Sequence, residues 1–269
     1  MSVARFAVIG QPVSHSKSPR IHAQFAQDCG VELQYQAIEI EPRQLADRLR
    51  ELHAQGYAGL NVTLPHKAAV AALCESVSER AQLAGAVNCL IRTDTGWRGD
   101  NTDGEGLLRD LARLGIEING QRVLILGAGG AARGIIGPLL EAGPKLLVVS
   151  NRNPWKPEDL AERFKAVGPL VPRTHLALKG DAFDVVINAT SAGHSGDMPR
   201  LPPGLLAAGA KCYDLSYGIA SEPFANWARK QSAAVVEDGL GMLVEQAASS
   251  FELWLGQRPQ TAPVLAGLR

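Results

Sequence analysis

Two charged residues in this chain, a lysine and an aspartate, each stand at the start of a helical pattern, where the lysine is oddly placed. Lys67 closes the run NVTLPHK and stands at the start of a helical pattern that Pro65 opens. A cation there meets the positive end of the helix dipole. Asp103, in NTDG, also opens a helix. An ammonium beside a carboxylate can hold and polarise a substrate hydroxyl and exchange its proton. The spacing does not show that the two side chains meet. A solvated lysine and an aspartate that caps its helix account for the same residues.

A second group has the composition of a phosphate cradle. GAGGAA, Gly127 to Ala132, follows the apolar strand RVLIL and opens a helix. This is the context that a dinucleotide fingerprint requires. Gly127 permits the tight turn, Gly129 lets the backbone approach a pyrophosphate, and Ala132 lets helix and strand pack closely. N–H groups at the helix start hold the anion. An NAD site carries a carboxylate about 20 residues on, against the ribose 2′-hydroxyl. Here the next strand ends Ser150-Asn151-Arg152. A guanidinium pairs with a 2′-phosphate, which a carboxylate would repel, so Arg152 and Lys156 favour NADP. A solvated basic loop is the alternative. Ser14 and Ser16, in SHS after the first strand, suit a small polar ligand and equally suit capping of the helix that begins near Pro19. His15 and His66 receive no role.

The elements that must position these groups alternate strand and helix along the whole chain, which argues for α/β architecture with mostly parallel sheet. Strands are read at RFAVIG, LQYQAIEI, LNVTL, VNCLIR and GWRG, with helices over PRIHAQFAQDCG, PRQLADRLRELHAQG and KAAVAALCESV. After residue 100 the pattern restarts with the helix NTDGEGLLRDLARLG. It continues through RVLILG, KLLVVSNR, FDVVINAT, KCYDLSY and AAVVED as strands, and ends in the amphipathic helix LGMLVEQAASSFELWLG. The 269 residues suffice for two domains. Lys plus Arg and Asp plus Glu are both 27. That balance speaks against a nucleic-acid partner and leaves a small anionic ligand open. No apolar run approaches the roughly 20 residues of a membrane span, and the amino terminus turns polar too soon for a signal peptide. Four scattered cysteines suggest reduced thiols and a cytoplasmic setting. The six histidines show no metal-ligand spacing, so no metal is expected.

Taken in order, SHSKSP, NVTLPHK, AGAVN, GDNTDG, GAGGAAR, NR, NATSAG, YDLSY and DGLGMLVEQAA resemble the shikimate dehydrogenase family nearly end to end. The resemblance implies an N-terminal α/β substrate domain (1–101), an NADP-binding Rossmann domain with parallel sheet (102–237), a cleft between them, and C-terminal helices (238–269) that return to the first domain. It implies reversible reduction of 3-dehydroshikimate to shikimate with NADPH, in chorismate and aromatic amino acid biosynthesis, by a monomer or homodimer. Lys67 and Asp103 match the catalytic pair. Ser14 and Ser16 match residues that hold the shikimate carboxylate, and Tyr217 one that approaches it. Thr63, Lys67, Asn88, Asp103 and Gln246 match residues around the ring hydroxyls. The cofactor pattern falls on Gly127, Ala128, Gly129, Gly130, Ala131, Asn151, Arg152, Asn153, Lys156, Thr190, Leu215, Gly239 and Met242. One departure is local. The family often has Asn-Arg-Thr and a further arginine three residues on, where this chain has Asn153 and Lys156 around Pro154 and Trp155. Lysine is a point charge without the planar fork, so the 2′-phosphate is expected to rest mainly on Arg152. An NAD-dependent quinate/shikimate dehydrogenase, a methylenetetrahydrofolate dehydrogenase and a non-catalytic ligand sensor are the rival readings. The second serine of SHS and Arg152 oppose the first, NTDG and SHS the second, and the presence of both Lys67 and Asp103 the third.

Overall fold

A computed structural model describes residues 3–269. The chain forms two compact units, one running up to Gly106 and joined by Leu243–Arg269, the other Leu107–Met242. In order, the elements are β1 (Ala4–Gly10), α1 (Ser18–Cys29), β2 (Leu33–Glu39), α2 (Leu45–Ala54), β3 (Tyr57–Val62), α3 (Lys67–Ala71), β4 (Ser76–Val77), α4 (Glu79–Ala84), β5 (Cys89–Arg92), β6 (Trp97–Asp100) and α5 (Asp103–Arg113). There follow β7 (Arg122–Leu126), α6 (Gly130–Glu141), β8 (Leu146–Asn151), α7 (Trp155–Phe164), β9 (Leu170–Thr174), β10 (Phe183–Asn188), β11 (Leu206–Asp214), α8 (Glu222–Lys230), β12 (Val235–Glu237), α9 (Leu240–Leu255) and α10 (Ala262–Leu268). The unit boundaries fall inside α5 and α9. Among the described residues, no helix is long and apolar enough to cross a membrane.

The first unit carries a sheet in the order β2-β1-β3-β5-β6-β4. The expectation of parallel pairing holds for β2, β1 and β3. The strands read at VNCLIR and GWRG are the antiparallel pair β5 and β6, and β5 also runs antiparallel to β3. The β5–β6 pairing follows from the turn between them, in which Thr93 N–H bonds Gly96 O at 3.0 Å, since so tight a turn joins only antiparallel strands. The helix expected over KAAVAALCESV stops at Ala71, and Ser76–Val77 pairs with β6 instead. Ser78 then starts α4, its Oγ accepting the Ala81 N–H, as an N-cap serine does.

The second sheet, β12-β11-β10-β7-β8-β9, is parallel throughout. Val123, Leu124, Ile125 and Leu126 of β7 are all fully buried, as strands covered on both faces must be. Strand order runs outward in both directions from β7 and β10, so their carboxyl ends flank a switch point, where such sheets bind ligands. Strand β9 was not expected. Pro172 cannot complete a sheet ladder and is tolerated because β9 lies at the edge.

In α1, His22 is wholly buried, and neither ring nitrogen has a hydrogen-bond partner. Its ring stacks on Tyr35 at 4.2 Å and lies among Phe25, Phe251 and Trp254. Burial, opposed in part by the nearby Asn61, pushes its pKa down to about 3. The folded chain therefore refuses a proton that the unfolded chain accepts below its ordinary value of 6.5. Stability is unaffected by this group above that pH and falls as the pH drops from there towards 3. Between pH 6.5 and 5 the loss is about 2 kcal/mol. Urea unfolding of His22→Phe should show an acid-side decline shallower than wild type by that amount. Identical slopes would show that His22 is not what is refusing the proton.

Candidate active site

The strand–turn–helix segment β3–α3 presents Lys67. The His66 ring is buried, and its Nε2 lies 2.8 Å from Ile40 O, while His66 N–H bonds Thr63 O at 3.0 Å. His66 thus pins the turn, a structural task that the sequence did not suggest. Val70 anchors α3 in the apolar cluster with Leu60 and Val87, and Val87 N–H bonds Lys67 O at 2.8 Å. Thr63 N–H bonds Ile9 O at 2.9 Å. Its Cγ2 would lie 2.4 Å from any Cβ at position 10, so Gly10 is the residue that lets β1 and this turn approach.

Lys67 and Asp103 do meet. Nζ lies 2.6 Å from Asp103 Oδ2, with the lysine side chain 15% exposed and the carboxylate 4%. Asn88, buried at the start of β5, braces the pair. Its Nδ2 donates to Asp103 Oδ1 at 2.8 Å, to Thr102 Oγ1 at 2.9 Å and to Gln246 Oε1 at 3.1 Å. Its Oδ1 accepts Thr102 N–H at 2.8 Å. The side chain of Asn101 accepts Asp103 N–H at 3.0 Å and donates to Ala86 O at 2.9 Å, which sets the entry to α5. Gln246 is held by its Nε2 bond to Leu243 O at 2.9 Å. Beneath this group Asn61 bonds Ser250 Oγ at 2.8 Å and accepts Tyr35 Oη–H at 2.8 Å. With Thr102 close to Ser250, at 3.4 Å, a continuous polar seam underlies the ion pair. Asn61, Thr102 and Ser250 were not singled out from the sequence. Asn61 and Thr102 stand inside the strings NVTLPHK and NTDG, but their partners are up to 189 residues away.

The remaining substrate candidates are placed less directly. Ser14 is exposed. Ser16 Oγ accepts Ser18 N–H at 3.2 Å, and Ser16 N–H bonds Val13 O at 3.0 Å, so the serine turn also shapes the start of α1. Tyr217 belongs to the second unit, just beyond β11.

The cofactor candidates of the second unit lie at the carboxyl ends of adjacent strands. Gly127 follows β7 with φ +105°, and a Cβ there would lie 2.8 Å from Ala189 O. Only glycine serves at such a position. Ala128 is buried. Gly129 is exposed at the start of α6, and nothing lies within 4 Å of where its Cβ would be. Gly130 and Ala131 form the first helical positions. A helix start with open space before it fits a pyrophosphate. Beyond β8, Asn151 Oδ1 accepts Asn153 N–H at 2.9 Å and curls the loop. Arg152 is exposed, and Lys156 Nζ lies 5.6 Å from the centre of the Trp155 ring. Among the described residues neither cation has a carboxylate partner, whereas Arg133 pairs with Asp159 at 3.0 Å. Two uncompensated cations beside an anion-binding helix start fit a nucleotide with an additional phosphate.

Thr190 is set by Asn188, whose Oδ1 accepts from Thr190 Oγ1 at 2.8 Å and from its N–H at 3.2 Å. Asn188 Nδ2 in turn donates to Asp214 Oδ2 at 2.9 Å. Burial pushes the Asp214 pKa up to about 6 against the hydrogen bonds from Ser216 and Asn188. Asn188 and Asp214 were missed, although both stand in the strings NATSAG and YDLSY. Gly239 packs against Leu215, whose O would lie 2.3 Å from a Cβ. Packing alone therefore requires that glycine. Met242 is buried, and its N–H bonds Tyr213 Oη at 3.2 Å.

A Rossmann-type parallel sheet with a phosphate turn, and a separate mixed sheet carrying a buried lysine–aspartate pair, define a two-unit α/β protein of the dinucleotide-dependent dehydrogenase class. The family models identify it more closely. The shikimate dehydrogenase substrate-binding domain matches residues 8–90, shikimate/quinate 5-dehydrogenase residues 110–195, and the shikimate 5′-dehydrogenase C-terminal domain residues 239–269. The chain is 48% identical to the shikimate dehydrogenase (NADP(+)) of Hahella chejuensis, over 98% of each chain. It is 49% identical to that of Xanthomonas campestris pv. campestris, over 100% of this chain and 96% of the relative. Among solved structures, an Ael1 enzyme from Pseudomonas putida superposes with a TM-score of 0.91 at 44% identity, covering 98% of each chain. Shikimate 5-dehydrogenase from Thermus thermophilus, in complex with NADP(H) and shikimate, gives 0.83 at 33%, again over 98% of each. The chain belongs to the shikimate dehydrogenase family.

Proposed function

We propose that this chain reversibly reduces the ketone of 3-dehydroshikimate to shikimate with NADPH, on the route to chorismate and the aromatic amino acids. The observation that carries the reading is the Lys67–Asp103 pair at 2.6 Å, in a chain whose relatives are named for this activity. NADPH, when bound, supplies the hydride. Lys67 holds the substrate oxygen through a remaining N–H and gives that proton to the oxygen as the hydride reaches carbon, so that the alcohol leaves and solvent reprotonates the amine. Asp103, fixed at one oxygen by Asn88, orients Lys67 and accepts from a ring hydroxyl. Thr63, Asn88 and Gln246 complete the polar surround of the ring, and Ser14 and Ser16 take the carboxylate. Gly127 to Ala131 hold the pyrophosphate and Asn151 to Lys156 the 2′-phosphate end, with Thr190, Leu215, Gly239 and Met242 towards the nicotinamide. The reading places the reaction in the cytoplasm, with a monomer or homodimer as the working unit.

The test of substrate and cofactor choice is the rate of shikimate oxidation followed at the NADPH band, with NAD and quinate as the competing pair. The expected result is a strong preference for NADP and shikimate. A preference for quinate would overturn the serine assignment, and a preference for NAD the reading of Arg152. Arg152→Ala should raise KM for NADP at least about tenfold while leaving KM for NAD nearly unchanged, since a charged hydrogen bond to phosphate contributes about 1.5–3 kcal/mol. Equal effects on both cofactors would remove Arg152 from the 2′-phosphate.

A further inference from the structure

We infer that His175 is a second protein ligand for the cofactor's 2′-phosphate, acting beside Arg152 from the neighbouring strand; the inference rests on the NADP reading above. Strands β8 and β9 are parallel and in register, Ser150 opposite Arg173 and Asn151 opposite Thr174. His175 therefore leaves β9 at the level where Arg152 leaves β8, on strands about 4.8 Å apart. The imidazole is fixed. Its Nδ1 lies 2.8 Å from the Oγ of Ser150, which is fully buried. That bond turns Nε2 away from Ser150, and Nε2 has no protein partner among the described residues.

The surrounding charges explain why such a ring would await an anion. Burial first, and the Arg152 charge second, lower the His175 pKa, so the ring is neutral in the free protein at neutral pH. A phosphate monoester brings about −1.5 to −2 charges. Placed between Arg152 and His175, it compensates the guanidinium and favours a proton on the ring, and Nε2–H then donates to a phosphate oxygen. Two other cations belong to the same strand ends, Lys156 and Arg173. Of these, Arg173 Nη1 bonds Pro172 O at 3.0 Å, whereas Lys156 stays with Arg152 as a point charge towards the phosphate. The family's second arginine is replaced here by Lys156, and His175 supplies a directional donor that lysine does not.

Calorimetric titration with adenosine 2′,5′-bisphosphate tests this, with adenosine 5′-monophosphate as the probe that lacks the 2′-phosphate. His175→Gln should weaken bisphosphate binding about tenfold at pH 6.5, less at pH 8, and leave monophosphate binding unchanged. Titrations in buffers of different ionisation enthalpy should show proton uptake on bisphosphate binding that is smaller in the variant than in wild type. Equal bisphosphate affinity and equal proton uptake would overturn the inference, as would equal weakening of both nucleotides, which marks a structural role. Arg152→Ala separates the two readings. If it loses bisphosphate affinity and His175→Gln does not, only the role of His175 fails. If neither loses it, the NADP reading of this loop fails with it.

Discussion

Lys67→Met is expected to lower kcat by about a thousandfold or more, the range set by loss of a group that handles the proton or charge of the reacting oxygen. The substitution keeps most of the side-chain volume and removes the charge. Asp103 would retain the donor Nδ2 of Asn88 and its place at the positive end of α5, where a carboxylate is favoured. The chain should remain folded but with a lowered unfolding transition, since Asp103 Oδ2, in a side chain only 4% exposed, loses its cation. Shikimate binding measured by calorimetry should weaken far less than turnover, because the interaction lost is made chiefly with the developing alkoxide. Turnover within a fewfold of wild type would remove Lys67 from the chemistry.

Asp103→Asn is the second large effect, and its character differs. Asn at 103 can still accept from Asn88, so the local geometry survives while the charge opposite Lys67 disappears. Lys67 is only 15% exposed and has no other carboxylate within reach among the described residues. Removing one partner of a buried pair costs about 3–5 kcal/mol, so this variant, like Lys67→Met, should lose stability while remaining folded. Turnover should drop about a hundredfold or more, through misorientation of Lys67 and a lost hydroxyl contact. The double variant should be scarcely slower than Lys67→Met alone, since residues that act as a unit are not additive. Multiplied losses would mean that the two side chains act separately.

The parts of this molecule legible from sequence are those governed by local pattern. The apolar run of β7 and the glycines after it specify a parallel strand, a tight turn and a helix start within a dozen residues. Lys67 was legible as an unusual charge at a helix start and Asp103 as a helix-opening carboxylate, but their contact was not, because it joins residues 36 apart in the chain. Asn88 shows the limit most clearly. Its type and its place at a strand end suggest a backbone cap, whereas it links Asp103, Thr102 and Gln246, the last 158 residues away. The bracing seam through Asn61 and Ser250 was unreadable for the same reason. Strand β9 was hidden by its proline, and the shortening of α3 by alanines that suit a helix equally well beyond Ala71. His175 left no signal in sequence, since its meaning comes from the register of β8 against β9.

Hydride reduction of a ketone held at Lys67 and Asp103 can be watched within one catalytic cycle. Enzyme loaded with one equivalent of NADPH is mixed rapidly with 3-dehydroshikimate, and the NADPH absorbance band is followed through a single turnover. The expected result is loss of the band, one shikimate formed for each NADPH consumed, and a rate that collapses in Lys67→Met. An unchanged band, from protein shown to be folded and to bind both ligands, would contradict it.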